Sequence, residues 1–342
     1  MMKPVEPTGL QLIRLLADGD CHSGAALARG LRMTRAGVWK ALHKAVEDYG
    51  LALESIPGQG YRLNAPLELL DPALILGYLS AAGASRLARL QVNDLIDSTN
   101  ERLMAAAIAR APAGTVCLAE RQSAGRGRRG RVWVSPFGAN LYLSVLWRYP
   151  VGPAGLGGIS LAAGVAVATV LQRLGLTDIA LKWPNDLLWR RRKLGGLLLE
   201  VAGETQGPSH LVVGLGLNLR LDPDQAQGID QPWVDLREAL GQAAPGRNRL
   251  AAALIDALLE TLERFGQVGL APFLDEWTRF DLLRDQQVQL QLGERLIVGD
   301  YAGIDPDGAL RLNTADGLLR AHSGEVSLRL APPPEAPRSA DE

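Results

Sequence analysis

A run of ten residues, Gln122–Arg131, interrupts an apolar stretch of the chain with three glycines and four arginines. No apolar residue follows Ala124 within the run, so it must form a loop outside any core. Glycine lets backbone N–H groups approach a ligand closely, and arginine adds a charged, planar donor fork that suits carboxylate and phosphate. The run therefore predicts a loop that closes over an anion. A solvated surface loop and a nucleic-acid patch of the Arg-Gly type remain open as alternatives.

The composition limits the class of protein. The 342 residues are 47% hydrophobic and 21% charged, so the chain is globular, and its length suits two or three domains of about 100–200 residues. The net charge of −1 gives no overall attraction to nucleic acid or to an anionic membrane, so any basic site must be local. Cys21 and Cys117 are too far apart to be read as a disulfide framework, which favours a reducing compartment.

We expect a cytoplasmic protein with no membrane partner. The first residues carry no apolar signal core. We also expect no run close to the roughly 18 uninterrupted apolar residues that a membrane span needs.

Residues 1–66 have the pattern of a winged helix-turn-helix. Helical apolar spacing, capping residues and glycine stops predict three helices, and a hairpin of two short strands follows them. The predicted elements lie at residues 10–16, 24–29, 35–49, 51–56 and 60–63. A short helix, a tight turn and a longer helix form the helix-turn-helix, and the hairpin is its wing.

The longest of these predicted helices offers a polar and partly basic face to DNA. A recognition helix reads base edges from its N-terminal residues and holds phosphates with lysine and arginine. The candidates for DNA contact are Arg35, Trp39, Lys40, His43 and Lys44. Because a fold alone does not establish function, a winged helix used only for protein contact remains the alternative.

Residues 67–270 alternate strands and helices in a way that predicts a mixed sheet with helices behind it. Predicted strands occupy residues 90–96, 115–120, 140–147, 179–183, 193–201 and 211–219, and the main predicted helices occupy residues 101–110 and 155–174. Polar residues stand where several of these strands begin or end, among them Ser98-Thr99-Asn100, Asn185-Asp186 and Lys193. The pattern indicates a pocket at one edge of the sheet.

The residue types that converge there suit two anionic reactants. Lys193 and the Gly/Arg run supply positive charge, Asp186 supplies a carboxylate and Trp133 supplies an aromatic face. One reactant could be a carboxylate and the other a nucleotide whose phosphates share Mg²⁺ with an acid; joining them gives an acyl adenylate. That reaction depends on positioning and on positive charge near the α-phosphate. Taken singly, each of these residues could instead be structural.

Residues 271–330 break into short alternating strands separated by turn signals such as Asp305-Pro-Asp-Gly308. The strands are predicted at residues 287–292, 294–298, 309–312 and 324–329. They indicate a small β-barrel whose simplest role is structural, with Arg329 a candidate for closing on a nucleotide. Residues 331–342 are predicted to be a disordered tail.

Seven motifs, together with the winged helix, resemble those of the bifunctional biotin–protein ligases that also repress the biotin operon. The motifs are Asp97-Ser-Thr-Asn100, Gly125-Arg-Gly-Arg-Arg-Gly130, Trp133, Ser135-Pro-Phe-Gly-Ala-Asn-Leu141, Lys182-Trp-Pro-Asn-Asp186, Lys193-Leu-Gly-Gly196 and Gly214-Leu-Gly-Leu-Asn218. The resemblance implies an α+β multidomain fold. Its parts would be a winged helix-turn-helix (1–66), a mixed-sheet α/β catalytic domain of class II synthetase-like type (67–270) and an SH3-like barrel (271–330).

The resemblance also implies an activity in two steps. Biotin would be activated with ATP and Mg²⁺ to biotinyl-5′-AMP. The biotinyl group would then pass to one lysine of the biotin carboxyl carrier protein of acetyl-CoA carboxylase. The adenylate-bound form would dimerise and bind the operator DNA of the biotin operon.

Individual residues receive roles from the same resemblance. Lys193 would hold the biotin carboxylate and stabilise phosphate charge, Arg128 would retain the adenylate, and Asp186 would serve the metal or the incoming lysine. The other residues implied to bind biotin or its adenylate are Ser98, Thr99, Asn100, Gln122, Gly125, Arg126, Gly127, Gly130, Gly195, Gly196, Gly214 and Leu215. Those implied to bind the nucleotide are Arg129, Arg131, Trp133, Lys182, Asn185, Asn218 and Arg329.

Three alternatives remain. The first is a biotin ligase whose winged helix has lost operator binding. The second is a ligand-sensing DNA regulator without catalysis, although a sensor does not need charge aimed at a transition state. The third is a lipoate ligase, a class that shares the catalytic fold but lacks this set of motifs.

Overall fold

The computed structural model describes residues 7–322 and the backbone of residues 326–330. Its first part consists of three helices and a hairpin. They are α1 (Thr8–Leu16), α2 (Gly24–Gly30), α3 (Arg35–Tyr49), β1 (Leu53–Ile56) and β2 (Gly60–Leu63). The predicted caps are present, since Ser23 Oγ accepts a hydrogen bond from Ala26 N, and Thr34 Oγ1 accepts one from Gly37 N. Gly50 ends α3 at φ 66°, a conformation that glycine adopts readily.

The apolar faces of α1 and α3 form the core of this N-terminal unit. Leu12 and Ile13 on α1, and Val38 and Leu42 on α3, are all fully buried in one cluster. Phe137, which comes from the central part of the chain, completes that cluster. The N-terminal unit therefore packs directly against the central part.

The linker after β2 is held by buried charge. Glu120, which is fully buried, accepts from the backbone N–H of Leu70, and its other oxygen lies 2.7 Å from Arg247 Nη1. Glu68 accepts from the backbone N–H groups of Arg247 and Asn248 at 2.6 and 3.1 Å. Because buried charges are costly unless they are paired, these contacts fix the path of the linker.

The central part of the chain is a seven-stranded mixed sheet with helices on both faces. Its strands are β3 (Arg89–Ile96), β4 (Thr115–Gln122), β5 (Leu141–Tyr149), β6 (Ile179–Lys182), β7 (Asp186–Trp189), β8 (Arg192–Gly203) and β9 (Ser209–Leu217). Its helices are α4 (Pro72–Tyr78), α5 (Ala81–Arg86), α6 (Thr99–Ile108), α7 (Ile159–Arg173), α8 (Leu236–Leu240), α9 (Arg247–Val268) and α10 (Ala271–Phe280). The strand order is β3-β4-β5-β9-β8-β7-β6, and only the β3–β4 pair is parallel. The predicted mixed sheet is confirmed.

The two faces of the sheet serve different purposes. On one face, α7 and α9 pack over a continuous apolar core. On the other face, α6 covers a smaller cluster around Leu103 and Val212, and further along β9 the face carries Gly214 and Gly216 in place of larger side chains. The glycines allow Asn100, in the first turn of α6, and Trp133 to approach the strand closely.

Helix α7 corrects the expectation that the chain contains no segment apolar enough for a membrane span. By length and composition alone, the segment Pro153–Arg173 is long and apolar enough to cross a membrane. Most of this segment is buried, however, and Leu161, Val165 and Val167 lie in the main core. A helix that is apolar on all sides is expected where neighbouring elements surround it.

The C-terminal part is a five-stranded antiparallel sheet in the order β13-β12-β11-β10-β14. Its strands are β10 (Gln287–Leu292), β11 (Arg295–Ile304), β12 (Leu310–Thr314), β13 (Gly317–Ala321) and β14 (Val326–Leu330). The indole Nε1 of Trp183 donates to Gly308 O at 3.1 Å and so joins the two sheets. The predicted tail at residues 331–342 lies outside the described residues.

Candidate active site

A cavity of about 700 Å³ opens on the α6 face of the central sheet. Eighteen of the predicted biotin- and nucleotide-site residues line it: Ser98, Thr99, Asn100, Gln122, Arg126, Gly127, Arg128, Arg129, Arg131, Trp133, Lys182, Asn185, Asp186, Lys193, Gly196, Gly214, Leu215 and Asn218. They come from five strands, helix α6 and the loops between them. The sheet therefore brings together residues that lie up to 120 positions apart.

Lys193 and Asp186 form an ion pair in the wall of this cavity. Lys193 Nζ lies 2.7 Å from Asp186 Oδ1, and the side chains are only 17% and 23% exposed. The same Nζ lies 5.7 Å from the ring centroid of Trp133. A cation, a carboxylate and an aromatic face thus meet within one partly desolvated space, where charge interactions are stronger than in water.

The start of α6 forms a second wall through a dense hydrogen-bond network. Gln122 Oε1 accepts from the backbone N–H and the hydroxyl of Thr99 at 2.9 and 3.1 Å. The hydroxyl of Ser144 lies 2.7 Å from both Thr99 Oγ1 and Asn100 Oδ1. The α6 helix begins at Thr99 rather than at the predicted Glu101, with Ser98 as its N-cap. Thr99 and Asn100 are consequently held inside the first helical turn.

The Gly/Arg run folds back on itself beside the cavity. Gly127 N donates to Arg131 O at 2.7 Å, and Trp133 N donates to Gly125 O at 2.9 Å. Arg128 Nη1 donates to Asn185 Oδ1 at 3.4 Å, so the loop reaches across to the β6–β7 connection. Burial lowers the pKa of the Arg128 guanidinium, and the charge of Asp186 opposes that shift. Arg128 is thus a half-buried arginine at the cavity.

Trp133 and Gly216 fit one another closely. A Cβ atom on Gly216 would lie 2.4 Å from Cε2 of Trp133, far inside van der Waals contact. The indole Nε1 of Trp133 is buried and has no hydrogen-bond partner in the described part of the chain. A buried donor of this kind favours a ligand acceptor close to it.

Three predicted binding glycines do not line the cavity. Gly125 and Gly195 are packed against backbone, where an added Cβ would meet Trp133 O at 2.6 Å and Gly216 O at 2.7 Å, respectively. Gly130 turns the loop at φ 71°. These positions shape the loop and the sheet rather than the cavity wall. The side chain of Arg329 lies outside the described residues, although its backbone pairs with Gln289.

The sequence interpretation missed part of the lining. The missed residues are Val132, Val134, Leu197, Leu198 and the segment 228–233, whereas Trp183, Pro184 and Gly216 stood in the family motifs without an assigned role. That segment joins the site because Lys193 N donates to Pro232 O at 2.8 Å, and Val234 N donates to Lys193 O at 2.9 Å. A tryptophan at 233, in a loop otherwise rich in polar residues, glycine and proline, was the available signal.

The cavity offers little to a metal ion on its own. Within residues 7–322, no group of three or more histidine, cysteine, aspartate or glutamate side chains could hold one. Asp186 and Asp230 are the carboxylates in the lining. A divalent cation would therefore need phosphate oxygens to complete its coordination.

The predicted DNA-contact residues lie on α3 as expected from their spacing. Arg35, Lys40 and Lys44 are exposed, and the Trp39 side chain is 52% exposed. His43 is half-buried, because its ring stacks 4.4 Å from that of Trp39 and its Nδ1 lies 2.8 Å from Trp39 O. His43 thus supports Trp39 more than it faces outward.

The chain belongs to the biotin/lipoate A/B protein ligase family. The model of that family matches residues 92–218, and the model of the biotin protein ligase C terminal domain matches residues 285–329. The first match includes most of the cavity wall, and the second covers much of the C-terminal sheet.

Within the family, the chain is similar to the bifunctional ligase/repressor BirA of Escherichia coli (strain K12). The two are 43% identical over 94% of this chain and 97% of the relative. The biotin–[acetyl-CoA-carboxylase] ligase of Mycobacterium tuberculosis is 35% identical over 78% of this chain and 97% of its own length. The solved biotin protein ligase from Aquifex aeolicus, in complex with biotin and ATP, covers 72% of this chain and all of its own. It aligns with a TM-score of 0.61 and 29% identity.

Proposed function

We propose that the protein is an ATP- and Mg²⁺-dependent biotin–protein ligase that also represses transcription of biotin-synthesis genes. The observation that carries the ligase proposal is the Lys193–Asp186 pair beside Trp133, under the Gly/Arg loop, in one cavity. Full-length similarity to BirA supports both activities.

The first step joins biotin to AMP. A carboxylate oxygen of biotin attacks the α-phosphorus of ATP, the bond to the β-phosphate oxygen breaks, and pyrophosphate leaves. Lys193 would draw the two anions together and stabilise the charge that develops on the α-phosphate. Asp186, with phosphate oxygens, would hold Mg²⁺, and the ion when bound would neutralise phosphate charge. Trp133 would pack against the adenine, and its free N–H would meet a ligand acceptor.

The second step transfers biotin to the carrier protein. The amine of one carrier lysine attacks the carbonyl carbon of the mixed anhydride, the acyl–phosphate bond breaks, and AMP leaves. The amine loses a proton in this step, and Asp186 would accept it. Arg128 would keep the adenylate in the cavity and exclude water until the carrier arrives.

The remaining lining residues divide by position. We assign the biotin side to the α6 start, Gln122 and the glycine-bearing end of β9, which line one part of the cavity. We assign the nucleotide side to Arg129, Arg131, Lys182, Asn185 and Asn218. The side chain of Arg329 is kept as a proposal from the sequence.

We further propose that residues 1–66 form a winged helix-turn-helix, residues 67–270 the catalytic domain and residues 271–330 an SH3-like barrel. Exposed Arg35, Trp39, Lys40 and Lys44 on α3 would contact the operator of the biotin operon. The adenylate-bound protein would dimerise, because two copies match a paired operator site.

The ligase proposal is tested with biotin and, in a parallel reaction, with lipoate as the acid substrate. Purified protein with biotin, ATP, Mg²⁺ and a biotin carboxyl carrier domain should release pyrophosphate and biotinylate one carrier lysine. Failure with biotin but success with lipoate would make the protein a lipoate ligase, and ligand binding without either product would make it a sensor.

Labelled operator DNA tests the repressor separately. We expect binding that strengthens when biotin and ATP are present and weakens when Lys40 is changed to alanine. Biotinylation without any operator binding would leave a ligase whose winged helix serves another purpose.

A further inference from the structure

The side chain of Arg126, in the Gly/Arg run, pairs with two carboxylates outside the cavity lining. Its Nη2 donates to Glu200 Oε1 and Oε2 at 3.1 and 3.4 Å, and it lies 3.3 Å from Glu101 Oε1. Neither glutamate lines the cavity. The guanidinium of Arg126 therefore acts as an anchor for the loop as well as part of the cavity wall.

Glu200 also holds the opposite wall. Asn100 Nδ2 donates to Glu200 Oε2 at 2.8 Å and to Leu198 O at 3.0 Å. One carboxylate thus contacts both the loop, through Arg126, and the first turn of α6, through Asn100. These are the two elements that border the cavity at this side.

The backbone of Glu200 is held within the central sheet. It lies in β8, where it pairs in register with Val212 of β9, and its side chain is 27% exposed. Glu101 stands on the helix surface with a side chain that is 49% exposed. Because partly buried ion pairs are screened less than exposed ones, Glu200 is the stronger of the two partners of Arg126.

We propose that Glu200 is a positioning residue that keeps the Gly/Arg loop closed over the reaction intermediate. This inference rests on the proposed ligase function, but its structural part, loop closure, does not depend on catalysis. Loss of the Glu200 charge would weaken the contact with Arg126 and open the loop, which also carries Arg128. The substitution would not remove any group that touches the substrate.

The size of the effect follows from the exposure of the pair. A partly exposed ion pair of this kind shifts an equilibrium by about two- to fivefold. The shift must also depend on salt, since the Debye length is about 10 Å at 0.1 M ionic strength. Raising the salt concentration should therefore open the loop in the unmodified protein and have less effect once the charge of Glu200 is gone.

The test uses Glu200→Gln, because glutamine keeps the length of the side chain and an acceptor for Asn100 while it removes the charge. Glu204→Gln is the matched control; Glu204 is exposed just beyond the same strand, and no ion pair joins it in the described part of the chain. Glu101→Gln removes the weaker partner. The first measurement is the rate of tryptic cleavage within Gln122–Arg131 in the protein alone, at low and high salt.

We expect Glu200→Gln to be cleaved about two- to fivefold faster than the unmodified protein at low salt. Glu204→Gln should match the unmodified protein, and Glu101→Gln should show the smaller change. Equal cleavage of Glu200→Gln and the unmodified protein, or a larger effect of Glu101→Gln, would overturn the assignment, whatever the enzyme does.

The second measurement follows the intermediate. With biotin, ATP and Mg²⁺ but no carrier, Glu200→Gln should label lysines of added serum albumin faster than the unmodified protein, with pyrophosphate formed at an unchanged rate in the first turnover. A drop in first-turnover pyrophosphate with no extra labelling would mean that Glu200 supports the site only structurally. If the unmodified protein makes no pyrophosphate, the ligase proposal fails, and the cleavage rates alone decide the role of Glu200.

Discussion

Lys193 Nζ of β8 and Asp186 Oδ1 of the neighbouring strand β7 lie 2.7 Å apart. The pair places opposite charges in a partly buried wall where two anionic substrates would have to meet. Asp186 holds the ammonium group of Lys193 in place, and the anions of the substrates can then replace or share that contact. Under the proposed function, Lys193 would supply positive charge to the site, and Asp186 would orient its ammonium group.

Changing Lys193 to alanine should abolish most of the adenylation. The substitution removes the only predicted catalytic cation on β8 and leaves Asp186 to repel the substrates. Loss of one group that stabilises transition-state charge costs about 100- to 1,000-fold in rate. Pyrophosphate release measures the effect. Arg192→Ala is the control, because Arg192 pairs with Glu238 outside the cavity; a Lys193→Ala variant that kept normal pyrophosphate release would contradict the assigned role.

Changing Arg128 to glycine should leave adenylate synthesis intact and let the intermediate escape. Arg128 joins the loop to Asn185 across the cavity, and its loss removes that connection. Bystander lysines on an unrelated protein should become biotinylated, as measured by mass spectrometry. Products that stayed confined to the carrier domain would show that Arg128 does not retain the adenylate.

Much of the fold could be predicted from the sequence because its signals are local. The capping residues Ser23 and Thr34 predicted where two helices of the N-terminal unit begin, and Gly50 predicted where the second one ends. Apolar runs predicted the positions of the strands. Helix α6 began two residues earlier than predicted. Its Thr99 and Asn100 are buried by contacts with β4, β5 and β8, and such contacts are not visible in local propensity.

The site was predictable where motifs carry chemistry and unpredictable where only packing matters. Lys193, Asp186 and Trp133 carry charge or aromatic surface, so their grouping could be anticipated. The anchor residue Glu200 looked like one polar position in a strand, and its pairing with Arg126 spans 74 residues. The segment 228–233 is joined to the site by backbone pairing between Trp233 and Lys193, which its sequence does not indicate.

Changing Gly216 to alanine should impair ligand binding by moving Trp133. The new Cβ would lie 2.4 Å from the indole, so the ring must shift or the strand must bend. Gly228→Ala is the matched control, since Gly228 also lines the cavity but its Cβ would meet only Val134 at 3.9 Å. We expect a weaker affinity for biotin and ATP, by about tenfold or more, for Gly216→Ala alone, because steric strain in a packed site typically costs about 1–3 kcal/mol. Calorimetry measures both variants, and equal affinities would show that Trp133 does not shape the site.

The two thiols should differ sharply in reactivity. Cys21 is exposed, whereas Cys117 is fully buried in β4, where burial raises its pKa to about 12. Only the thiolate reacts with disulfide reagents, so at pH 8 the folded protein should show one fast thiol per chain and the denatured protein two.

The same shift predicts a pH effect on stability. The thiol of Cys117 ionises in the unfolded chain near its ordinary value of 9.0 but stays protonated when folded up to about pH 12. The unfolded state therefore loses its proton first, and the free energy of unfolding should fall as pH rises above about 9. Comparing the unmodified protein with Cys117→Ala isolates this contribution, because the buried tyrosines titrate alike in both. Denaturant unfolding at pH 8 and pH 10.5 measures this contribution. Between these pH values, the free energy of unfolding of the unmodified protein should fall more than that of Cys117→Ala. Equal changes in the two proteins would show that Cys117 is not protected from ionisation.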